Sequence, residues 1–239
     1  MQERRVEYTA EGRELVGLLV LPDGDDQRPG VLVSHEGPGQ SDHERTIARR
    51  LAELGYVAFA LDYHGGGERI EDRDEMFRQL GELMTNPDLT RALGKAGLEQ
   101  LLAEPRVDSA RVAAIGYCFG GTMSLELGRA GEDLVAIVGF HAGLQTSRPD
   151  DASNILGRVL VCMGSADPIV PAEARAEFEA EMEAAGIDWQ MHVYGGVQHT
   201  FTNPAAVNVD LPGIAYDETA AKRSWSAMLE LFEETFGPV

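Results

Sequence analysis

Cysteine is almost absent from this 239-residue chain, with Cys118 and Cys162 the only two. That excludes a disulfide framework as the source of stability, and a chain of this length buries enough surface to need none. Two thiols in so long a chain fit a reduced compartment. No apolar run approaches the ~18 residues of a membrane span. Met1-Gln2-Glu3-Arg4-Arg5 leads into a charged strand rather than an apolar signal core. A cytoplasmic protein with no membrane partner is therefore expected. Positive charge is also scarce: 20 Lys and Arg stand against 40 Asp and Glu, a formal net charge of −20. This balance argues against nucleic acid or anionic lipid as a partner. The acids form no long block, so they read as a solvated surface. No His-x-x-x-His or Cys-x-x-Cys spacing occurs, so His35, His43 and His64 beside Glu36 do not read as metal ligands and no metal is expected. Linkers, repeats and low-complexity stretches are missing as well. Residues 1–239 are expected to form one domain.

The 44% hydrophobic content is that of a globular protein. Residues 4–8 and 14–21 read as an opening antiparallel pair, joined through Ala10-Glu11-Gly12. Strands follow at residues 30–34, 57–62, 112–117, 135–140, 159–163 and 189–194. Several are apolar at nearly every position, as parallel strands covered on both faces must be. Helices are expected between them at residues 43–54, 89–102, 119–129, 171–185 and 218–236. Gly55 and Gly186 stop two of these, and Pro171 opens one. Alternating strands and helices imply a three-layer α/β fold: a mostly parallel sheet, helices on both faces and an N-terminal antiparallel hairpin. Residues 144–154 and 202–217 form two longer polar connections, a kind of segment that often lids a site and often merely bridges.

Four short segments carry chemistry. Gly116-Tyr117-Cys118-Phe119-Gly120-Gly121 follows an apolar strand and precedes a helix, the Gly-x-nucleophile-x-Gly pattern with cysteine as nucleophile. The sharp strand-to-helix turn needs its glycines, and the helix N-terminus favours a thiolate. A buried structural cysteine beside a glycine-packed helix is the bland alternative. Asp167, in Gly164-Ser165-Ala166-Asp167-Pro168, lies just after a late strand, where a triad carboxylate belongs; Asp-Pro is also a common turn opener. His199 sits on a glycine-rich loop after the last strand, in Gly195-Gly196-Val197-Gln198-His199-Thr200-Phe201, and could equally be a plain loop histidine. The order decides between these readings. Nucleophile 118, acid 167 and histidine 199 run in the α/β-hydrolase order, not in the chymotrypsin-like or subtilisin-like one. Ser34-His35-Glu36-Gly37-Pro38-Gly39 closes the first central strand, so Gly37 N–H and Phe119 N–H are the expected oxyanion donors. His64, before Gly65-Gly66-Gly67, lines the pocket or only turns the chain, and Phe201 is a second candidate lining residue. His141 reads as a packing residue at a strand end, and Cys162 as an inert core thiol.

These motifs resemble the dienelactone hydrolase family of α/β-hydrolases. The likeness rests on Gly-Tyr-Cys-Phe-Gly-Gly around Cys118, on Gly-Ser-Ala-Asp-Pro-Ile-Val-Pro around Asp167 and on His199-Thr-Phe-Thr-Asn-Pro. A helix bearing Tyr216, Ala220, Ala221 and Trp225 adds to it. The resemblance implies a carboxylic ester hydrolase without cofactors, acting on small esters or lactones through a thioester acyl-enzyme. Cys118 is then the nucleophile, His199 the base and then the acid, Asp167 the orienting group, and Glu36 the family's glutamate that helps generate thiolate. One departure concerns substrate. Family members of the chlorocatechol pathway hold a substrate carboxylate with arginines, one of them just after the catalytic histidine. Here no Arg or Lys stands between His199 and Lys222. Arg69, Arg73 or Arg78 could contact an anion instead. An acyltransferase on the same scaffold and a catalytically silent binding protein are the rival readings, and both monomer and homodimer remain open.

Overall fold

The structure is a computed structural model that describes residues 1–209 and 211–238. Asp210, within the expected 202–217 connection, and Val239 lie outside the described residues. Strands β1 (Gln2–Ala10) and β2 (Arg13–Leu21) pair antiparallel around a tight turn with Glu11 at φ 51° and Gly12 at φ 73°. Two left-handed residues give such a turn the twist of the strands it joins. The remaining strands are β3 (Arg28–Ser34), β4 (Val57–Ala60), β5 (Val107–Tyr117), β6 (Ala136–Phe140), β7 (Arg158–Gly164) and β8 (Trp189–Tyr194). All eight join one sheet in the order β1-β2-β4-β3-β5-β6-β7-β8. Pairings from β4 to β8 are parallel, and β2 meets β4 antiparallel.

Helices α1 (Asp42–Glu53), α2 (Arg73–Thr85), α3 (Pro87–Leu102), α4 (Phe119–Arg129), α5 (Ala172–Ala185) and α6 (Glu218–Phe236) complete the fold. Period-2 alternation along the buried strands sends neighbouring side chains to opposite faces. Leu32 and Phe59 therefore pack in one core with Leu93 of α3, Met123 of α4 and Phe178 of α5. Val31, Val33 and Val138 pack in a second core with Ile47 of α1 and Phe232 of α6. Among the described residues, no helix is long and apolar enough to cross a membrane.

The expected strands and five expected helices are all present, with ends moved by a few residues. Strand β4 stops at Ala60 rather than Asp62, because Asp62 leaves the ladder. Its carboxylate accepts the backbone N–H groups of Val16, His64, Gly65 and Gly67 at 2.8–3.0 Å and fastens the glycine run to β2. Helix α2 was not expected. Met76, Leu80 and Leu83 stand at helical spacing on its inner side, but only Leu83 is fully buried, and the exposed Phe77 and Met84 blur the stripe. The two polar connections contain short 3-10 turns at Pro149–Asn154 and Pro204–Asn208.

A buried charge cluster joins α4 to α5. Arg129 is fully buried and bonds both oxygens of Glu181 at 2.8 Å, Glu126 at 3.0 Å and the Leu144 carbonyl at 3.0 Å. Removing one partner of such a network strands the others without water. Arg129→Met is therefore expected to cost about 3–5 kcal/mol and to lower Tm by about 10 °C in a thermal melt.

Candidate active site

Strand β5 delivers Cys118 to the carboxyl edge of the sheet, and α4 starts at the next residue. The turn is tight enough that a Cβ on Gly116 would lie 2.0 Å from the Gly120 carbonyl oxygen, and one on Gly120 would lie 2.3 Å from that of Ser34. Only glycine fits at either position. Cys118 itself holds φ 52°, ψ −120°, a conformation that L-residues rarely adopt and that costs about 1–3 kcal/mol. The thiol is half-buried and sits at a helix start whose first free donor is Phe119 N–H. Phe119 N–H and Gly37 N–H take no partner among the described residues, whereas Gly121 and Thr122 N–H bond back to the Cys118 carbonyl. Both expected oxyanion donors are thus uncommitted.

Asp167 follows β7 and uses both its oxygens. Oδ1 accepts Ile169 N–H at 2.8 Å and Val170 N–H at 3.1 Å; Oδ2 accepts His199 Nδ1–H at 2.7 Å. The turn-capping role and the orienting role coexist, one on each oxygen. His199 is buried on a loop pinned at both ends, its N–H donating to the Gly213 carbonyl and its own carbonyl accepting Ala215 N–H. Its Nε2 is buried and forms no hydrogen bond in this arrangement. Burial disfavours the imidazolium, but the charge of Cys118 and the bond to Asp167 outweigh it and push His199 up to about 10. The histidine is therefore basic enough to take and hold the thiol's proton.

Glu36 is buried between the elbow and the histidine loop. Oε2 accepts Asn203 Nδ2–H at 2.6 Å, and Oε1 has no partner. Burial and then the carboxylate of Glu44 push Glu36 up to about 7, against the opposing bond from Asn203 and the charges of His199 and Arg69. A carboxyl raised on folding stabilises the fold while protonated, and that contribution fades as pH climbs from the ordinary carboxylate range through neutrality. Glu36→Gln is accordingly expected to raise stability by about 1–3 kcal/mol at pH 8 and to differ little from wild type below pH ~4.5. Thermal melts across that range check it. An offset independent of pH would contradict it.

Several residues that hold this site carried no such reading from sequence. Glu44, third residue of α1, forms a capping box with Ser41 and also accepts Glu36 N–H at 3.2 Å, bracing the oxyanion loop. The spacing Ser41-x-x-Glu44 was the available signal. Tyr63 places its hydroxyl 2.9 and 3.0 Å from the carbonyls of His35 and Glu36. Asn203 and His141 also belong here: His141 is buried, and its Nδ1 accepts Cys118 N–H at 3.1 Å.

Two further candidates have these places in the structure. His64 is buried, and its Nε2–H donates to the Gly37 carbonyl at 2.8 Å, steadying the oxyanion loop from behind. Phe201 is fully buried in the α1/α6 core, edge-on to His141 and Tyr194, because its place after His199 turns the side chain under the loop. Cys162 behaves as expected of a core thiol, fully buried with its pKa pushed up to about 12 by burial. Among the described residues, no group of three or more His, Cys, Asp or Glu is placed to hold a metal ion.

An eight-stranded sheet of this order, with Cys118 on an elbow after β5, Asp167 after β7 and His199 after β8, defines the α/β-hydrolase class. Comparison with known proteins narrows the class. The Dienelactone hydrolase family matches residues 15–236, and the chain belongs to that family. The solved structure of m3DLH is 45% identical with a TM-score of 0.94, the match covering 98% of each chain. A dienelactone hydrolase-like promiscuous phosphotriesterase, P91, from metagenomic libraries is 39% identical with a TM-score of 0.93, again over 98% of each chain. Protein usf of Aquifex pyrophilus is 28% identical over 234 residues, 96% of this chain and 97% of that protein.

Proposed function

We propose that this hydrolase is thiol-dependent and cleaves small esters or lactones through a thioester on Cys118. The observation that carries the reading is the pairing of His199 Nδ1 with Asp167 at 2.7 Å, which leaves the unbonded, buried Nε2 to serve the thiol on the elbow. In the first half-reaction His199 Nε2 takes the proton from Cys118 Sγ, and sulfur adds to the carbonyl carbon. Phe119 and Gly37 N–H stabilise the oxyanion. The imidazolium returns the proton to the departing alkoxide, leaving the thioester. Water then adds with His199 as base, and collapse expels the thiolate, which recovers its proton. Glu36 lies in the field of His199 with one free oxygen, placed to adjust the charge of the pair as substrate enters.

The loops after Asp167 and His199 favour an uncharged acyl group, while Arg69, whose charge reaches Glu36, is the cation that an anionic one could use. Ile169 and Val207 are exposed on the loops that follow Asp167 and His199, and Leu211 is exposed nearby. No arginine or lysine lies between His199 and Lys222. The test is a panel of short-chain nitrophenyl esters and lactones, with and without a carboxylate, in the presence and absence of added alcohols. Preferential turnover of neutral members with free acid as product supports hydrolysis. Acyl transfer to the alcohol as the main product would point to an acyltransferase. P91, at 39% identity, brings one further substrate class, so an aryl dialkyl phosphate belongs in the panel.

A further inference from the structure

Among the described residues, four non-glycine positions have positive φ: Glu11 in the hairpin, and Cys118 (52°), His141 (40°) and Thr200 (59°). The last three come from three different loops, after β5, β6 and β8; His141 bonds the Cys118 N–H and packs its ring against that of His199, the neighbour of Thr200. Strain of this kind persists only where surrounding contacts over-determine it. Here the contacts converge on His141, which the thiol mechanism does not use.

His141 Nδ1 accepts the N–H of Cys118 at 3.1 Å, a donor shared with the Phe140 carbonyl at 3.0 Å. An Nδ1 that accepts must be unprotonated, so a neutral ring carries its proton on Nε2. That Nε2–H points at Thr202 Oγ1, 2.8 Å away. The hydroxyl passes its own proton toward His43 Nε2 at 3.5 Å. His43 is held neutral as an acceptor, its pKa lowered to about 4 by burial and then by Arg50. His141 is likewise kept uncharged by burial and by its neighbours His199 and His43. Its ring meets the His199 ring edge-on, with centroids 5.0 Å apart. Thr202 lies three residues beyond His199 on the same loop, so the directed chain of bonds spans from the nucleophile's own amide to the loop that carries the base.

We propose that His141 and Thr202 are positioning residues that clamp the elbow to the histidine loop, holding Cys118 in its strained conformation and His199 within reach of the thiol. The proposal rests on the thiol reading given above. Neither residue touches substrate; they act through Cys118 and His199. Misplacing a reacting group by about 1 Å costs on the order of 100-fold in rate with little effect on ground-state binding.

Four variants test the clamp. Thr202→Val removes only the hydroxyl. His141→Asn tolerates the positive φ and keeps an acceptor near the Cys118 N–H, but cannot reach Thr202. Both are combined in a double variant, and Thr202→Ser restores the hydroxyl. Two readouts are taken on folded protein well below Tm: ester kcat and KM, and the rate of iodoacetamide alkylation at Cys118. Thr202→Val is expected to lower kcat about 10-fold, and His141→Asn about 10- to 100-fold, with KM within about threefold. Cys118 alkylation should slow in parallel. The double variant should be no worse than His141→Asn alone, because both changes cut one link. Thr202→Ser should stay within about threefold of wild type. Kinetics and alkylation within twofold of wild type for both single variants would overturn the proposal, as would fully additive losses. If wild type and Cys118→Ala turn over esters equally, the thiol reading fails, and the alkylation rates still decide the clamp on their own.

Discussion

Cys118→Ala is expected to lower ester turnover by about 10⁴-fold or more, while Cys162→Ala stays within about twofold of wild type. The two thiols differ in every property that matters. Cys118 is half-buried on a strained elbow at a helix start, facing a histidine that prefers to be protonated. Cys162 is fully buried in β7, and its pKa is pushed up to about 12. Truncating Cys118 leaves the Phe119 and Gly37 donors and the binding surface intact, so the residual rate reports what those groups achieve with water as the nucleophile. The truncation removes little packed volume, so the variant should melt close to wild type. Equal turnover by wild type and Cys118→Ala would end the thiol account.

Asp167→Asn is expected to cost about 10³–10⁴-fold in kcat with only a small change in Tm. The reasoning follows the two oxygens. An Asn carbonyl oxygen still accepts the Ile169 and Val170 N–H groups, so the turn after β7 survives. The amide then faces His199 Nδ1 with a donor where an acceptor stood, and this selects the tautomer with the proton on Nε2. That histidine cannot take the thiol's proton. The charge that helps hold the imidazolium is lost as well, so its pKa falls and the thiolate loses its partner. Activity and a melting curve measured on one preparation separate this outcome from simple unfolding, in which both would fall together.

Much of this was legible in the chain because it is local. Apolar runs bounded by glycine and polar residues announce strands whatever their partners, and each site residue directly follows such a run. The Gly116–Gly121 turn was readable for the same reason in part: Gly116 answers a clash with Gly120 inside the turn, whereas Gly120 and Gly121 answer clashes with Ser34 and Ala142. Helix α2 was hidden because the exposed Phe77 and Met84 blur the stripe that Met76, Leu80 and Leu83 form at helical spacing. The supports of the site were hidden because their partners are distant in sequence. Glu36 meets Asn203 across 167 positions, and His141 meets Thr202 across 61. His64 shows the limit from the other side, since its position at the sheet edge was evident but the direction of its ring, toward the Gly37 carbonyl, was not.

The most direct test of the central claim is to trap the acyl group. The protein is mixed with a slowly deacylating nitrophenyl ester, quenched in acid during turnover, digested and weighed by mass spectrometry. The account predicts one acyl group per chain on the peptide containing Cys118, removed by neutral hydroxylamine and absent from Cys118→Ala. Turnover accompanied by an acyl group on another side chain, or by none under conditions where deacylation limits the rate, would contradict it.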